Sequence, residues 1–361
     1  MKQSDSKYIS KCFQLAEKGR GSVSPNPVVG AVLVKNGKII GEGYHKKYGS
    51  SHAEVIAIKN AGKYTAGSTL YCNLEPCCHT IKQTPPCVPL IIQKKIKRVV
   101  LSNIDPNNEV HGKGIKQLRD AGIEVLTGIL EDEGKELNKF YFKHISEKIP
   151  YITLKIAQSI DGKISLFKKK QTWLTGEASI KYVHKIRSEY DAVLVGAGTI
   201  KTDDPCLTVR EVKGRNPIRV VIDGKLNIPI KSKILNTVDA DNTWIITSEQ
   251  AVEKKIKKLS QLGAKIFKVK SSKQNELELK KILKILADNK ISSLLVEGGS
   301  QIFNQFIGEG LFDEIIILQA PKILGQAVGY SYHKKMKILK LKSMSKSGED
   351  IRLIYRKKLS D

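Results

Sequence analysis

A chain of 361 residues with 40% hydrophobic residues is long enough for two domains, each able to bury its own core without disulfides. Lysine plus arginine number 62 against 36 aspartate plus glutamate, a formal net charge of +26. The lysines run along the whole chain, as in Lys254-Lys255-Ile256-Lys257-Lys258, which reads as the wet faces of amphipathic helices, with basic pockets for phosphorylated small molecules locally, rather than as one nucleic-acid-binding patch.

Met1-Lys2-Gln3-Ser4-Asp5-Ser6 lacks the apolar core of a signal peptide. No later run approaches the ~18 apolar residues of a membrane span. Ser4 or Asp5 is a candidate cap for a helix that carries Ile9, Cys12, Phe13 and Ala16 on one face and ends at Gly19. Val28 to Val34 reads as a buried strand, and Asn36-Gly37 as a hairpin turn into Ile39-Ile40. Ala53 to Ala61 is helical in pattern, Thr69 to Cys72 and Arg98 to Leu101 are strands, and Lys113 to Ala121 is a helix closed by Gly122 ahead of the strand Ile123 to Leu126. The helical stretch Glu131 to Ile145 leads to Glu147-Lys148-Ile149-Pro150, a linker, which divides the chain into domains of residues 1–147 and 148–361.

The second part alternates again. Strands are expected at Tyr151–Ile156, Ala192–Val195, Arg219–Ile222, Thr243–Ile246, Ile266–Val269, Ser293–Val296 and Glu314–Leu318. Helices are expected at Ile180–Glu189, Ala251–Leu262, Glu276–Ala287 and Gln301–Gly308. This alternation predicts an α/β fold with a largely parallel sheet.

Six cysteines occur, and Cys77, Cys78 and Cys87 crowd together beside prolines, while Cys12, Cys72 and Cys206 read as small buried hydrophobes. That spacing argues for a metal site in a reducing, cytoplasmic compartment rather than a secreted disulfide framework. Zinc takes thiolates and imidazole nitrogens in tetrahedral geometry, and a catalytic zinc keeps one position for water. His52-Ala53-Glu54 offers a ligand and a carboxylate at a helix start. Pro76-Cys77 offers a thiolate at a second expected helix start, and Cys87, after Thr84-Pro85-Pro86, a third ligand. Cys78 and His79 are rival ligands, although the Pro-Cys context favours Cys77. The zinc-deaminase signature is H-x-E followed by P-C-x-x-C, with the Glu as acid/base and not a ligand. Here the His, Glu and Pro-Cys agree, while the second Cys stands further away. The chemistry that follows is hydrolytic deamination. Zinc lowers the pKa of its water. Glu54 takes the proton and hands it to the ring nitrogen and the leaving amine.

The order Ser24-Pro25-Asn26-Pro27-Val28-Val29-Gly30-Ala31-Val32, His52-Ala53-Glu54, Leu74-Glu75-Pro76-Cys77 and Thr84-Pro85-Pro86-Cys87 resembles the deaminase half of the bifunctional deaminase/reductase family of riboflavin biosynthesis. That family separates from cytidine and tRNA adenosine deaminases by its long Cys-to-Cys spacing. Its usual loop is shorter and contains Gly, whereas Cys78 to Gln83 has none. The resemblance extends through Lys155 to Ile164, Trp173-Leu174-Thr175, Asp191 to Thr199, Asp203 to Arg210, Val220 to Asp223 and Val296-Glu297-Gly298-Gly299, the reductase half.

It implies a cytidine-deaminase-like N-terminal domain, a mixed sheet with helices, and a dihydrofolate-reductase-like C-terminal domain. It also implies metal ligands His52, Cys77 and Cys87, an acid/base Glu54, and substrate contacts at Asn26 and His79. Ala157, Trp173, Thr199, Asp203, Gly224 and the run Gly299, Ser300, Gln301, Ile302, Phe303, Asn304 and Gln305 are implied to line an NADPH site. Gln171, Arg187, Leu207, Arg210 and Glu297 are implied to face the substrate, with the arginines suited to its phosphate. Gly298-Gly299 between a strand and a helix makes physical sense as a phosphate cradle at a helix N-terminus, although it is not a G-x-G-x-x-G fingerprint. The family expectation is a homodimer acting on small phosphorylated pyrimidines, without nucleic-acid or membrane partners.

Two other classes predict different sequences. A nucleic-acid deaminase predicts the short P-C-x-x-C spacing and an aromatic single-strand platform, yet only 6% of residues are aromatic. A non-catalytic zinc protein has no need of Glu54.

Overall fold

The computed structural model describes residues 3–80, 84–167, 172–237, 240–271, 277–329 and 337–357. The chain divides into two compact units, Met1–Ile149 and Pro150–Asp361.

The first unit opens with helix α1 (Gln3–Glu17) and the hairpin β1 (Gly30–Lys35) and β2 (Lys38–Tyr44). Helix α2 (Ala53–Ala61), strand β3 (Thr69–Leu74), helix α3 (Cys87–Gln93), strand β4 (Arg98–Asn103), helix α4 (Lys113–Asp120) and strand β5 (Glu124–Leu126) follow. Helices α5 (Glu131–Leu137) and α6 (Lys139–Glu147) close the unit. The sheet runs β2-β1-β3-β4-β5, antiparallel on the β1 side of β3 and parallel beyond it. Strand alternation explains the layers. Ala31 and Leu33 pack with Ala53, Ala57, Val88, Ile91 and Leu118 on one face. Val32 and Val34 pack with Ile9, Cys12 and Leu15 on the other. Burying each of the Val, Leu and Ile side chains among these is worth roughly 1.5–3 kcal/mol.

Glycines bring the helices onto the hairpin. A Cβ on Gly41 would lie 2.3 Å from the Ala57 carbonyl oxygen, and one on Gly43 2.3 Å from that of Ala53. Helix α2 therefore rests on β2 backbone to backbone, with Ala53, Ala57 and Ala61 at the seam. Gly43→Ala is expected to push the start of α2 outward and to cost about 1–3 kcal/mol, the usual range for overpacking. A lower midpoint of urea unfolding checks this, and an unchanged midpoint removes the close-packing account.

Several boundaries differ from the sequence reading. Asp5 lies inside α1 rather than ahead of it. Its buried carboxylate accepts the Tyr71 hydroxyl at 2.9 Å and Arg98 Nη1 at 2.9 Å. The expected continuous helix from Glu131 breaks at Asn138, because that side chain is needed elsewhere. Its Oδ1 accepts the Val28 N–H at 2.8 Å and its Nδ2 donates to the Val28 carbonyl at 3.0 Å. Asn73 donates to the same carbonyl and accepts the Gly30 N–H at 2.7 Å. Together they anchor the chain just after Asn26 and Pro27.

The second unit contains β6 (Tyr151–Gln158), β7 (Lys163–Ser165), α7 (Glu177–Glu189), β8 (Ala192–Gly196), α8 (Ala197–Asp203) and β9 (Ile218–Ile222). It continues through β10 (Thr243–Ser248), α9 (Glu253–Gln261), β11 (Lys265–Val269), α10 (Leu279–Asp288), β12 (Ser293–Gly298) and α11 (Ser300–Glu309). It ends with β13 (Glu314–Gln319), β14 (Val328–Gly329), β15 (Leu339–Ser347) and β16 (Asp350–Lys357). The main sheet runs β11-β10-β9-β8-β12-β6-β13-β16-β15. It is parallel from β11 to β13, and β16 and β15 add an antiparallel edge. The central parallel strands are largely buried, which is why they read as mostly apolar runs, interrupted by the buried Arg219 in β9 and by Glu297 in β12.

The edge hairpin was not among the expected strands. Lysine alternates with apolar residues on β15, and most of the strand is exposed, as suits a charged edge. The lysine run Lys254 to Lys258 lies on the wet face of α9, while Leu259 turns into the core. Among the described residues no helix is long and apolar enough to cross a membrane.

Candidate active sites

His52 is the N-cap of α2, so Glu54 falls in the first turn of that helix, buried at 3% exposure. The helix seats both groups against the loop after β3. Cys77 Sγ lies 3.4 Å from His52 Nδ1, and Cys87 Sγ lies 3.3 Å from the same nitrogen. The three donor atoms fall within 4.8 Å of one another. Zinc bonds of ~2.3 Å to sulfur and ~2.05 Å to nitrogen put tetrahedral S···N neighbours about 3.6 Å apart, so the donor set fits that ion. His52 Nε2 stands 3.1 Å from Thr84 Oγ1. A proton on Nε2 donated to that hydroxyl leaves the Nδ1 lone pair for the metal.

The expected helix start at Pro76-Cys77 is not there. Cys77 lies in irregular backbone, and the helix start belongs to Cys87, with Pro86 at the N-cap. The Leu74-Glu75-Pro76 extension carries Cys77 over that helix end instead. The Cys87 N–H points to Cys77 Sγ at 3.4 Å and donates to the Cys77 carbonyl at 3.0 Å. One helix N-terminus thus supports both sulfurs, one from inside its first turn and one from outside. Of the rival ligands, Cys78 turns its thiol to the Glu109 carbonyl at 3.8 Å, and neither it nor His79 joins the cluster. Cys12 and Cys72 are fully buried, and burial pushes both thiols up. Cys206 is half-buried.

A cavity of about 410 Å³ opens beside the cluster. Asn26, His45, Glu54, His79, Asp105 and Tyr141 contribute to its wall. Burial pushes the Glu54 carboxyl above its usual range, against the opposing effect of His52. His45 was not picked out from the sequence. Its Nδ1 faces the Ser51 carbonyl at 3.2 Å and must donate, so its Nε2 accepts the Asn26 amide, also at 3.2 Å. That bond leaves the Asn26 carbonyl oxygen as the acceptor for a ligand. His79 Nδ1 is buried without a hydrogen-bond partner among the described residues, a polar group aimed at the same cavity.

Glu75, quoted in the sequence only as part of a motif, pins the opposite wall. Its carboxylate accepts the N–H groups of Asp105, Gly112 and Ile115 at 2.9–3.2 Å. Asp105 in turn accepts the Tyr141 hydroxyl at 2.9 Å, and burial lifts its carboxyl to about 6. Residues 81–83 lie outside the described residues, as does Gln171.

In the second unit the implied cofactor residues gather at the carboxyl ends of the parallel strands, where open α/β sheets bind ligands. Ala157 is near the end of β6, Gly224 follows β9, and Gly299 follows β12 as the N-cap of α11. Gly299 adopts φ 90°, which favours glycine. A Cβ on Gly298 would lie 2.9 Å from Thr199 Oγ1, and one on Gly196 2.9 Å from Ile302 Cγ1. A side chain at Gly298 or Gly196 would crowd Thr199 or Ile302, so the two glycines keep the turns after β8 and β12 packed close beside the backbone N–H groups at the head of α11, where a phosphate can bind. Asn304 Oδ1 is buried and without a partner among the described residues. This cradle and this orphaned acceptor suit the implied dinucleotide.

Not every side chain of the implied set faces outward. Ile302 and Phe303 are buried, so only their backbone can serve a ligand. Ser300 and Gln301 sit in the same first turn of α11. Gln305 Nε2 donates to the Leu277 carbonyl at 3.0 Å. Burial raises the Asp203 carboxyl. Trp173 is 69% exposed.

Leu207 is a core residue at φ 54°. Arg187 donates Nε and Nη2 to Glu297 at 2.5 and 2.8 Å, and Nη1 to the Thr208 carbonyl at 3.2 Å. Lys155 Nζ joins the same carboxylate at 3.2 Å, a partner missed in the sequence because Lys155 and Glu297 stand 142 positions apart. Burial opposes the charge on Glu297, yet Arg187 and Lys155 hold its carboxyl down at about 2. Arg210 is exposed, with Nη1 on Thr208 Oγ1 at 2.6 Å, and is better placed than Arg187, which is engaged by Glu297, for a phosphate.

Residues 2–103 match the cytidine and deoxycytidylate deaminase zinc-binding region, and residues 150–353 match the RibD C-terminal domain. The riboflavin biosynthesis protein RibD of Aquifex aeolicus (strain VF5) is 42% identical over 99% of both chains, and that of Bacillus amyloliquefaciens 40% identical over 96% of this chain and 94% of the relative. The structure of Acinetobacter baumannii RibD, form 1, superposes with a TM-score of 0.90 at 34% identity, covering 99% of each chain. A diaminohydroxyphosphoribosylaminopyrimidine deaminase/5-amino-6-(5-phosphoribosylamino)uracil reductase from Thermotoga maritima gives 0.85 at 35% identity, covering 98% of this chain and 99% of that one.

Proposed function

The chain belongs to the RibD family of riboflavin biosynthesis and carries both a deaminase and a reductase, and from that premise we propose how its residues divide the two reactions. Residues 1–147 are assigned the zinc-dependent hydrolytic deamination of diaminohydroxyphosphoribosylaminopyrimidine. Residues 148–361 are assigned the NADPH-dependent reduction of the product's ribosyl group to ribityl. The linker lies within two residues of the division between the compact units.

In the deaminase, His52, Cys77 and Cys87 hold the zinc, which when bound lowers the pKa of water at that point towards neutrality. Glu54 would accept one water proton on its carboxylate and pass it to the ring nitrogen, then take a second proton from the hydroxyl added to the ring carbon and deliver it to the amine, which departs as ammonia as the carbonyl forms. Its burial beside the ligands excludes bulk water from that transfer. Asn26, oriented by His45, and His79 hold the polar edge of the ring. Glu75 holds the Asp105 wall in register with Cys77.

In the reductase, bound NADPH supplies the hydride. The Gly299–Gln305 turn grips its phosphates by backbone N–H groups, and Ala157, Trp173, Thr199, Asp203 and Gly224 flank it. Glu297, Arg187 and Lys155 form a charged floor beneath the substrate, Leu207 borders it, and Arg210 receives its phosphate. We place the enzyme in the cytoplasm as a homodimer, acting on small phosphorylated pyrimidines without nucleic-acid or membrane partners.

The observation that carries the reading is the His52–Cys77–Cys87 donor set with Glu54 buried at its edge and a cavity beside it. Purified protein is expected to contain one zinc per chain. It is also expected to release ammonia from the pyrimidine phosphate and to oxidise NADPH only with the deaminated product. Zinc without ammonia release sinks the deaminase assignment, and deamination of RNA instead favours the nucleic-acid reading.

A further inference from the structure

The rim at the carboxyl ends of β6 and β13 carries bonds that neither active site uses. Asp161 sits in the turn between β6 and β7. Its Oδ1 accepts the Ser159 hydroxyl at 2.6 Å. Its two oxygens accept the Leu324 N–H at 3.1 and 3.3 Å, and Oδ2 accepts the Gly325 N–H at 2.8 Å. The Ile160 N–H donates to the Lys322 carbonyl at 2.8 Å. Lys322 Nζ then reaches the Leu174 carbonyl at 2.6 Å and the Trp173 carbonyl at 3.4 Å. One carboxylate and one ammonium thus tie three segments, around 160, 323 and 173, that are far apart in sequence.

Asp161 and Lys322 are both exposed, so water could satisfy either group. Such bonds add little net stability, and what they do fix is geometry. The geometry they fix is that of an exposed aromatic. Trp173 is the end of the chain of bonds, and it stands with Ile160 and Ile323, also exposed, as apolar surface on this rim. A flat apolar face held by its backbone suits a flat ring.

We propose that Asp161 and Lys322 are positioning residues that hold Trp173 against the nicotinamide cofactor, and so set the reductase's affinity for NADPH rather than the rate of either chemical step. The proposal rests on the reading of Trp173 as a wall of the NADPH site.

The test uses the full-length, zinc-loaded protein. Asp161→Ala and Lys322→Met are each expected to raise KM for NADPH about tenfold, with reductase kcat within twofold and ammonia release unchanged. Asp161→Asn keeps one acceptor oxygen and is expected to lose only about threefold. In a Trp244→Phe background the chain's other tryptophan, Trp173, is the sole indole, and its quenching by NADPH should shift to correspondingly higher concentration. A Trp173→Ala background supplies the readout that a merely structural role does not move, since there the further loss from Asp161→Ala should vanish. If Trp173→Ala leaves KM unchanged, the cofactor-wall reading falls and the proposal with it. If Trp173→Ala raises KM while Asp161→Ala and Lys322→Met do not, the wall stands and the latch is wrong. An Asp161→Ala effect that persists in the Trp173→Ala background also overturns the latch.

Discussion

Glu54→Gln is expected to lower the deamination kcat by about 10²–10⁴-fold, the range that a positioned general acid/base contributes. Zinc content should stay at one per chain, because the metal donors are His52, Cys77 and Cys87, and Gln occupies the same volume as Glu. Reduction of added deaminated product should proceed at the parent rate, since Glu54 belongs to the other compact unit. Burial gives this residue its leverage. At 3% exposure the side chain is shielded from bulk water, so the proton transfer depends on the carboxylate itself. Turnover within tenfold of the parent enzyme would falsify the acid/base role, and loss of zinc would show that Glu54 holds the metal site together instead.

Glu297→Ala is expected to destabilise the second unit by about 3–5 kcal/mol, because it leaves Arg187 and Lys155 buried without their shared counter-charge. Urea unfolding followed by the emission of Trp244, buried at 4% exposure, reads this directly. The variant should also lose reductase activity outright. The same carboxylate predicts an acid response. Its folded pKa of about 2 lies below the unfolded value of about 4.3, so its contribution is complete above that unfolded value and is lost as pH falls towards 2. By linkage this contribution is on the order of 3 kcal/mol. The parent's second unit should therefore weaken between pH ~4 and ~2, and the variant should lack that portion of the slope. A variant with unaltered stability at pH 7 removes the claim that the ion triple is an energetically coupled unit.

The metal chemistry was legible because its signals are local. His52 and Glu54 are two residues apart, and one helix start delivers both. The long spacing to Cys87 distinguished the family without any coordinates. The central strands of the second unit were legible too, since parallel strands buried on both faces are predominantly apolar, even though β9 carries the buried Arg219. The groups that orient the ligands were not. Thr84 holds His52, His45 holds Asn26, and Asn138 anchors Val28 across 110 residues. A single polar residue in a turn gives no periodic signal of such a partner. The β15–β16 hairpin escaped because the apolar–lysine alternation of β15 covers only Leu339 to Lys342 and gives way to a mostly polar run in which Met344 alone is apolar.

The sequence by itself determined which donor atoms the chain possesses, the order of its two catalytic halves and the class of each reaction, because residue type dictates metal preference and short motifs dictate local backbone. Tertiary structure alone decided how those atoms are used. It assigned the helix start to Cys87 rather than Cys77 and set Cys77 over it from outside. It turned Arg187 towards Glu297 and left Arg210 exposed. The physical reason is that burial and ion pairing depend on contacts between residues distant in the chain, and close packing settles those contacts only when the whole unit has folded.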